Sequence, residues 1–210
     1  MDKATVIGGS GFLGSHIADE LSERGYAVTV FDRIASPWIR DNQTMLVGDM
    51  LDAELLEKAC TGSRYLYHLG GIADISEAKA KPFKAIETNV MGVTAVLEAA
   101  RAVRAERFVY ASTMYVYSAA GSFYRASKQA AETIVEAYAE SFDLDYTLLR
   151  YGSLYGPRAQ VWNGLRGYVK QVVEEGRLNY RGSGQERREY IHVCDAARLS
   201  VDILDSQHRN

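Results

Sequence analysis

Tyr124 and Lys128 of this 210-residue chain have the types and spacing for proton transfer. On a helix they are i and i+4 and share one face. A free phenol has a pKa near 10 and is a poor base at neutral pH. A lysine cation roughly 4 Å away, at an effective dielectric of about 20, stabilises the phenolate by about 4 kcal/mol. At about 1.36 kcal/mol per unit, that brings the phenol near 7 before desolvation costs. Thr113, eleven residues upstream, offers a hydroxyl that can orient the substrate hydroxyl. Such Tyr-x-x-x-Lys pairs are common on exposed helices, so their meaning depends on what precedes them.

A glycine-rich turn precedes them. Residues 6–14 read Val-Ile-Gly-Gly-Ser-Gly-Phe-Leu-Gly. A strand over 3–7 leads in, and a helix over 12–24 leads out with Leu13, Ile17, Ala18 and Leu21 on one face. Gly8, Gly11 and Gly14 let the backbone pack tightly and admit a diphosphate to the helix N-terminus, where free N–H groups and the dipole favour anions. The second strand, 26–32, ends in Asp32, 18 residues past Gly14. A carboxylate there can accept both hydroxyls of an adenosine ribose and repels a 2′-phosphate, which points to NAD. Arg33 argues the other way, since a guanidinium can pair with that phosphate.

The remaining elements must bring these groups together. A third strand is expected over 44–47, then Asp52 capping a helix over 53–60. A fourth strand, 64–69, runs into Gly70-Gly71, where something approaches the backbone closely. A long helix over 82–103 carries Ile86, Val90, Val93, Leu97 and Ala100 at helical period. Asn89 lies in its middle, a poor place by propensity, so it either faces solvent or pins a neighbouring loop. The fifth strand, 107–111, is followed by Ser112-Thr113, and a helix runs from Tyr124 to about Glu140. Near the end, Leu199, Val201, Ile203 and Leu204 follow Asp195 as a helix expected to pack on the sheet, before a polar tail over 205–210. Alternating strands and helices predict an α/β fold with a Rossmann-type, doubly wound parallel sheet. The glycine turn, Asp32, Gly70-Gly71 and Ser112-Thr113 all fall at C-terminal strand ends, where such sheets bind ligands.

Composition narrows the function classes. Apolar residues make up 47%, enough for a sizeable core, and the net charge of −3 gives no general attraction to nucleic acid or an anionic membrane. No apolar run approaches a membrane span, and a strand that starts at once leaves no room for a signal peptide. Cys60 and Cys194 lack metal-like spacing and read as reduced thiols of a cytoplasmic protein. His68 has no partner at ligand spacing and reads as a packed strand histidine, so no metal is expected.

At these residues the chain resembles an extended short-chain dehydrogenase/reductase of the NAD-dependent epimerase/dehydratase family. The resemblance spans essentially the whole chain. Gly8, Gly11 and Gly14, with Phe12 and Leu13 between them, match the family's cofactor turn, and Asp32 its ribose acid. Asp49-Met50 matches the pair beside the adenine. Leu69-Gly70-Gly71 and Ala111-Ser112 match segments lining the cofactor, and Asn89 the helix asparagine supporting the active-site loop. Thr113, Tyr124 and Lys128 match the catalytic trio. Residues 150–158 match the segment after strand six, in which Tyr151 lies beside the nicotinamide and Ser153 replaces the usual asparagine at the sugar nucleotide. Residues 182–193 match a stretch whose arginine, Arg188 here, binds the substrate diphosphate.

Three departures qualify the match. The segment between Thr113 and Tyr124 is shorter than the family's, which implies a more open pocket rim. Met114-Tyr115 stands where dehydratases carry Asp-Glu, and the glutamate of decarboxylating relatives is absent as well, so neither dehydration nor decarboxylation is favoured. The chain ends before most relatives do, which implies an NAD-binding domain over 1–155 and a partial, truncated substrate-binding region over 156–210. The resemblance therefore implies an NAD-dependent epimerase of a nucleotide sugar. Tyr124 would take a hydroxyl proton as the sugar carbon gives a hydride to NAD, and return of the hydride to the other face of the rotated keto-sugar would invert the centre. The alternatives are a sugar-nucleotide dehydrogenase or reductase with net redox, and an NAD-binding protein without turnover. With the substrate pocket one-sided, the chain is expected to bind NAD but turn over nucleotide sugars poorly. A homodimer is expected through the helices over 82–103 and 124–140, the second almost ringed by Ala130, Ala131, Ile134, Val135, Ala137 and Tyr138.

Overall fold

The computed structural model describes residues 1–180 and 182–205. Six strands, β1 (Lys3–Ile7), β2 (Ala27–Asp32), β3 (Gln43–Val47), β4 (Tyr65–His68), β5 (Arg107–Thr113) and β6 (Tyr146–Tyr151), form one sheet. Their order is β3-β2-β1-β4-β5-β6 and every pair is parallel. The connecting helices are α1 (Phe12–Glu23), α2 (Ala53–Cys60), α3 (Ile75–Ala80), α4 (Pro82–Ile86), α5 (Gly92–Ala102) and α6 (Ser122–Phe142). A shorter C-terminal part adds β7 (Ser153–Tyr155), α7 (Gly164–Glu175), β8 (Tyr190–His192) and α8 (Val193–Asp202).

Successive strand residues point to opposite faces, and both faces are covered. Val6, Val28, Val30, Tyr67 and Val109 pack with α1 and α8, through Ile17, Leu21, Ala197 and Val201. Ile7, Phe31, Leu66 and Phe108 pack on the other side with Leu56, Val93, Leu97, Ala131 and Val135 of α2, α5 and α6. Full burial of each such side chain contributes about 1.5–3 kcal/mol. β1 lies between β2 and β4, so the winding direction reverses beside it, and a crevice opens at the C-terminal ends of β1 and β4.

The long helix expected over 82–103 is interrupted. Between α4 and α5 the residues Glu87–Met91 wind as one π turn. The wider turn shifts the helical phase, which leaves Ile86 39% exposed while Val93 and Leu97 are buried. Val201 on α8 and Leu204 just past its end are buried as expected, but Leu199 is 52% exposed. The helix docks through Ala197 and Val201 against α1, and Leu199 falls on the opposite side of its axis. Tyr67 donates to the Ser200 carbonyl at 2.9 Å and Arg107 to that of Ile203 at 2.7 Å, so α8 is tied to the main sheet. Of the polar tail, 206–210 lie outside the described residues.

The second, two-stranded sheet pairs β7 with β8 in parallel. The apolar ring expected on α6 is largely used inside the chain. Ala131 and Val135 are buried, Ile134 and Tyr138 pack partly against the core, and the Tyr138 hydroxyl donates to Glu98 at 2.6 Å. Cys60 is buried, Cys194 is exposed, and both are free.

Candidate active site

The glycine turn closes against the neighbouring strand end. Leu69 and Gly70 both donate to the Ile7 carbonyl, at 2.8 and 3.0 Å, while the amide of Gly8 donates to Phe31 at 2.8 Å. Gly8 has φ +82°, and a side chain there would run into the backbone of Leu69 and Gly70. A methyl on Gly14 would meet the Gly8 carbonyl and, at 2.9 Å, the Cα of Gly9. No side chain caps the N-terminus of α1 at Gly11, so its first-turn amides are open to the cavity that Phe12, Leu13 and Gly14 line. Bare backbone and unpaired N–H groups at a helix N-terminus fit a dinucleotide diphosphate.

Asp32 ends β2 at the same cavity, beside Arg33. Its carboxylate accepts from the amides of Ser10 at 3.0 Å and Ile34 at 3.3 Å, which fixes its orientation. Met50, Gly70 and Gly71 also line the cavity. Two expected cofactor positions stand elsewhere. Asp49 is exposed outside the cavity wall, its carboxylate accepting from the Leu51 amide at 3.0 Å in a local turn. Asn89 is 1% exposed and fully engaged: its Oδ1 accepts from the Ile72 amide at 2.7 Å, and its Nδ2 donates to the Ile72 carbonyl at 3.0 Å and to Ser127 Oγ at 2.9 Å. Of the two roles open for it, the amide pins the loop after β4, and the π turn is what points it there.

β5 runs two residues further than expected and delivers Thr113 at its last position, beneath Tyr124. The Thr113 Oγ1 accepts from the Tyr115 amide at 3.2 Å and is bonded to the Tyr124 phenol. Tyr124, Ile72, Ala78 and Ala85 form a small apolar cluster under the site. Burial pushes the Tyr124 phenol above its ordinary value; the Thr113 hydrogen bond pulls it down, and Tyr115 adds to the rise. The expected lowering by Lys128 is therefore not how this arrangement stands. The Lys128 ammonium donates to the Ala111 carbonyl at 2.8 Å and lies 4.7 Å from the centre of the Tyr110 ring. Burial brings its pKa down to about 8, opposed by the charge of Glu132.

Sequence reasoning stopped at Lys128, yet the same face of α6 continues to Glu132, four residues on and also buried. Its carboxylate accepts from Arg150 at 2.9 Å (Nε) and 2.8 Å (Nη2), a two-point contact, and from the Ser112 hydroxyl. Burial works to raise the Glu132 carboxyl, but Arg150 and Ser112 outweigh it and hold it below its ordinary range. Ser112 therefore meets the cavity with its main chain while its hydroxyl is turned inward. The spacing Tyr124-x-x-x-Lys128-x-x-x-Glu132 was the available signal. Tyr115 was the other omission; its ring stands edge-on to Tyr124, with centroids 6.1 Å apart.

From the C-terminal part, Tyr151, Ser153 and Arg188 reach the same cavity, whose volume is about 1300 Å³. Arg188 is paired with the Tyr115 phenol, which raises the guanidinium pKa. Apart from Asp49 and Asn89, every expected site residue lines this one cavity. Among the described residues no group of three or more His, Cys, Asp or Glu side chains could hold a metal ion, and no helix is long and apolar enough to cross a membrane.

A doubly wound parallel sheet with a glycine turn at its switch point and Thr, Tyr and Lys converging there defines a short-chain dehydrogenase/reductase site. More narrowly, the chain matches the NAD dependent epimerase/dehydratase family over residues 4–210 and belongs to that family. It is similar to UDP-glucuronic acid decarboxylase 2 of Arabidopsis thaliana, with 28% identity over 98% of this chain and 51% of that protein. Among solved structures it resembles the UDP-glucose 4-epimerase of Thermotoga maritima with UDP-glucose, at a TM-score of 0.88 and 26% identity, over 95% of this chain and 72% of that one. It also resembles the UDP-glucose 4-epimerase of Thermus thermophilus in complex with NAD, at a TM-score of 0.85 and 28% identity, over 97% and 75% of the two chains. Other relatives include a dTDP-D-glucose 4,6-dehydratase, so the relatives comprise nucleotide-sugar epimerases, decarboxylases and dehydratases. The chain spans about half the length of the first curated relatives it matches.

Proposed function

We propose that this chain is an NAD-dependent epimerase of a nucleotide sugar. The observation that carries the reading is the convergence of Thr113, Tyr124 and Lys128 with the glycine turn and Asp32 in one cavity. Bound NAD supplies a reversible two-electron acceptor for a sugar carbon. Gly8, Gly11 and Gly14 with the α1 amides hold the diphosphate, and Asp32 the adenosine ribose. Tyr124 Oη takes the proton of the sugar hydroxyl and later returns it, while Thr113 orients that hydroxyl. Lys128, one turn along the same helix face, is the cation that would favour the phenolate once NAD and sugar are bound, and Arg188 takes the substrate diphosphate beside Ser153. Met114-Tyr115 leaves no acid next to Tyr124 for elimination, which favours inversion over dehydration or decarboxylation. Residues 1–155 serve as the cofactor part and 156–210 as one side of the substrate pocket.

Proton NMR of a UDP-sugar incubated with protein and NAD tests this. A new stereoisomer without accumulating NADH supports the epimerase. Steady NADH production instead makes the protein a dehydrogenase, and NAD binding with no change in any sugar, in a chain extended to the full length of its relatives, makes it a binding protein.

NAD is expected to bind more tightly than NADP, because Asp32 would face the 2′-phosphate. Calorimetry reads the ratio, and Asp32→Ala should weaken NAD and reduce the preference. Tighter binding of NADP by the unaltered chain would show that Arg33 prevails.

We also infer a homodimer through α5 and α6. Its support is narrower than the sequence implied, since Ala131 and Val135 are consumed internally, but Met91 on the adjoining π turn and Phe123 on α6 stay exposed at 56% and 42%. Light scattering at tens of micromolar is expected to give twice the monomer mass; a monomer there refutes the pairing.

A further inference from the structure

Glu132 and Arg150 form an ion pair that the chemistry outlined above does not use. Only the Glu132 half of the pair is buried, Arg150 being exposed, and an ion pair with one partner in water contributes little net stability. The placement of this pair is therefore informative. Glu132 is the middle of a chain of charges that runs from the exposed Arg150 on β6 through the buried Glu132 to Lys128 at the cavity. It follows Lys128 by one helical turn, as Lys128 follows Tyr124.

We propose that Glu132 is a positioning residue for the Tyr124–Lys128 pair, its carboxylate serving as the fixed counter-charge of the Lys128 ammonium. The proposal rests on the reading of Lys128 as the cation that serves Tyr124. The surroundings of Lys128 leave few other sources of negative charge. From β5 it meets the Tyr110 ring and the Ala111 carbonyl, the fully buried His68 of β4 feels its charge, and Glu132 acts on it from one turn further along α6. His68 is neutral at pH 7, since burial brings it down to about 3, and the Tyr110 phenol is pushed well up by burial, so neither supplies an anion. Glu132 is the one carboxylate acting on Lys128 among the described residues. Arg150 and Ser112 keep it ionised and immobile. An ammonium buried without that counter-charge would release its proton close to neutral pH and could no longer stabilise a phenolate.

The test reads Lys128 directly, without cofactor or sugar, so it stands apart from the success or failure of the epimerase reading. The protein is labelled with 13C-lysine, the Lys128 Cε signal is identified by its loss in Lys128→Met, and its titration midpoint is followed by NMR. In Glu132→Gln the midpoint is expected to fall by about one pH unit or more relative to the unaltered protein. Arg150→Met breaks the same ion pair but leaves the carboxylate, so its midpoint should not fall. If Glu132→Gln fails to fold, the double variant Glu132→Gln/Arg150→Met removes both charges together and should still show a fall, reduced by the loss of the more distant Arg150 charge. An unchanged midpoint in Glu132→Gln or in the double variant, or an equal fall in Arg150→Met, overturns the assignment and leaves the pair a purely structural contact.

Discussion

Tyr124→Phe is expected to lower turnover in the UDP-sugar assay by roughly 10²–10⁴-fold, the usual contribution of a positioned general base. NAD binding should be nearly unchanged, because the ring remains packed among Ile72, Ala78 and Ala85 and only the phenol oxygen is lost. The pH signature on the alkaline side comes from Lys128 rather than from the phenol. With Lys128 at about 8, the ammonium is charged at neutral pH and loses its proton above that value, so activity should decline on the alkaline side. Lys128→Met should harm cofactor binding and turnover together. Unaltered turnover in Tyr124→Phe would remove Tyr124 as the base.

The second large effect concerns stability in acid. His68 is 1% exposed, stacked on Tyr110 with centroids 5.6 Å apart, and neither ring nitrogen has a hydrogen-bond partner among the described residues. Burial lowers its pKa from 6.5 to about 3. Below pH 6.5 the unfolded chain binds a proton that the folded chain refuses, so stability falls as pH falls, until about 3. Between pH 6.5 and pH 4 the loss from this one group is about 3 kcal/mol, a large share of the 5–15 kcal/mol typical of a whole domain. His68→Phe keeps a flat ring in the stack and removes the titration. Urea unfolding at pH 7 and pH 4 should show the variant gaining about 3 kcal/mol on the unaltered protein at the lower pH. Parallel losses in the two proteins would mean that the folded chain admits the proton.

Much of this was legible in the sequence because the relevant signals are local. The helix over 53–60 begins at Asp52 as expected, whose carboxylate accepts from the Leu55 amide at 3.1 Å. The glycine turn and the Tyr124–Lys128 spacing each lie within nine residues or fewer. What was hidden depends on tertiary partners. The π turn at Asn89 follows from a side chain reaching Ile72 and Ser127 across the fold, which periodicity does not record. Tyr124 and Lys128 share a face, but the Lys128 ammonium turns to the Ala111 carbonyl, and burial then moves both pKa values opposite to the ways their roles require. β7 and β8 are three residues each, too short for alternation to reveal, and they pair across a separation of 37 positions.

The π turn also makes one stretch of the chain sensitive to its own length. Surface loops absorb inserted and deleted residues with little penalty. The stretch Glu87–Met91 is helical, so a lost residue would not be absorbed but converted into rotation. Restoring ordinary winding there would turn Asn89 by about 100° relative to α5 and carry its amide away from Ile72. Gly71, whose Cα faces the Asn89 carboxamide so closely that a methyl would come within 2.8 Å of Oδ1, would lose its neighbour as well. The segment acts as a ruler: the number of residues between Pro82 and α5, as much as their identity, sets where the loop after β4 stands against the cavity.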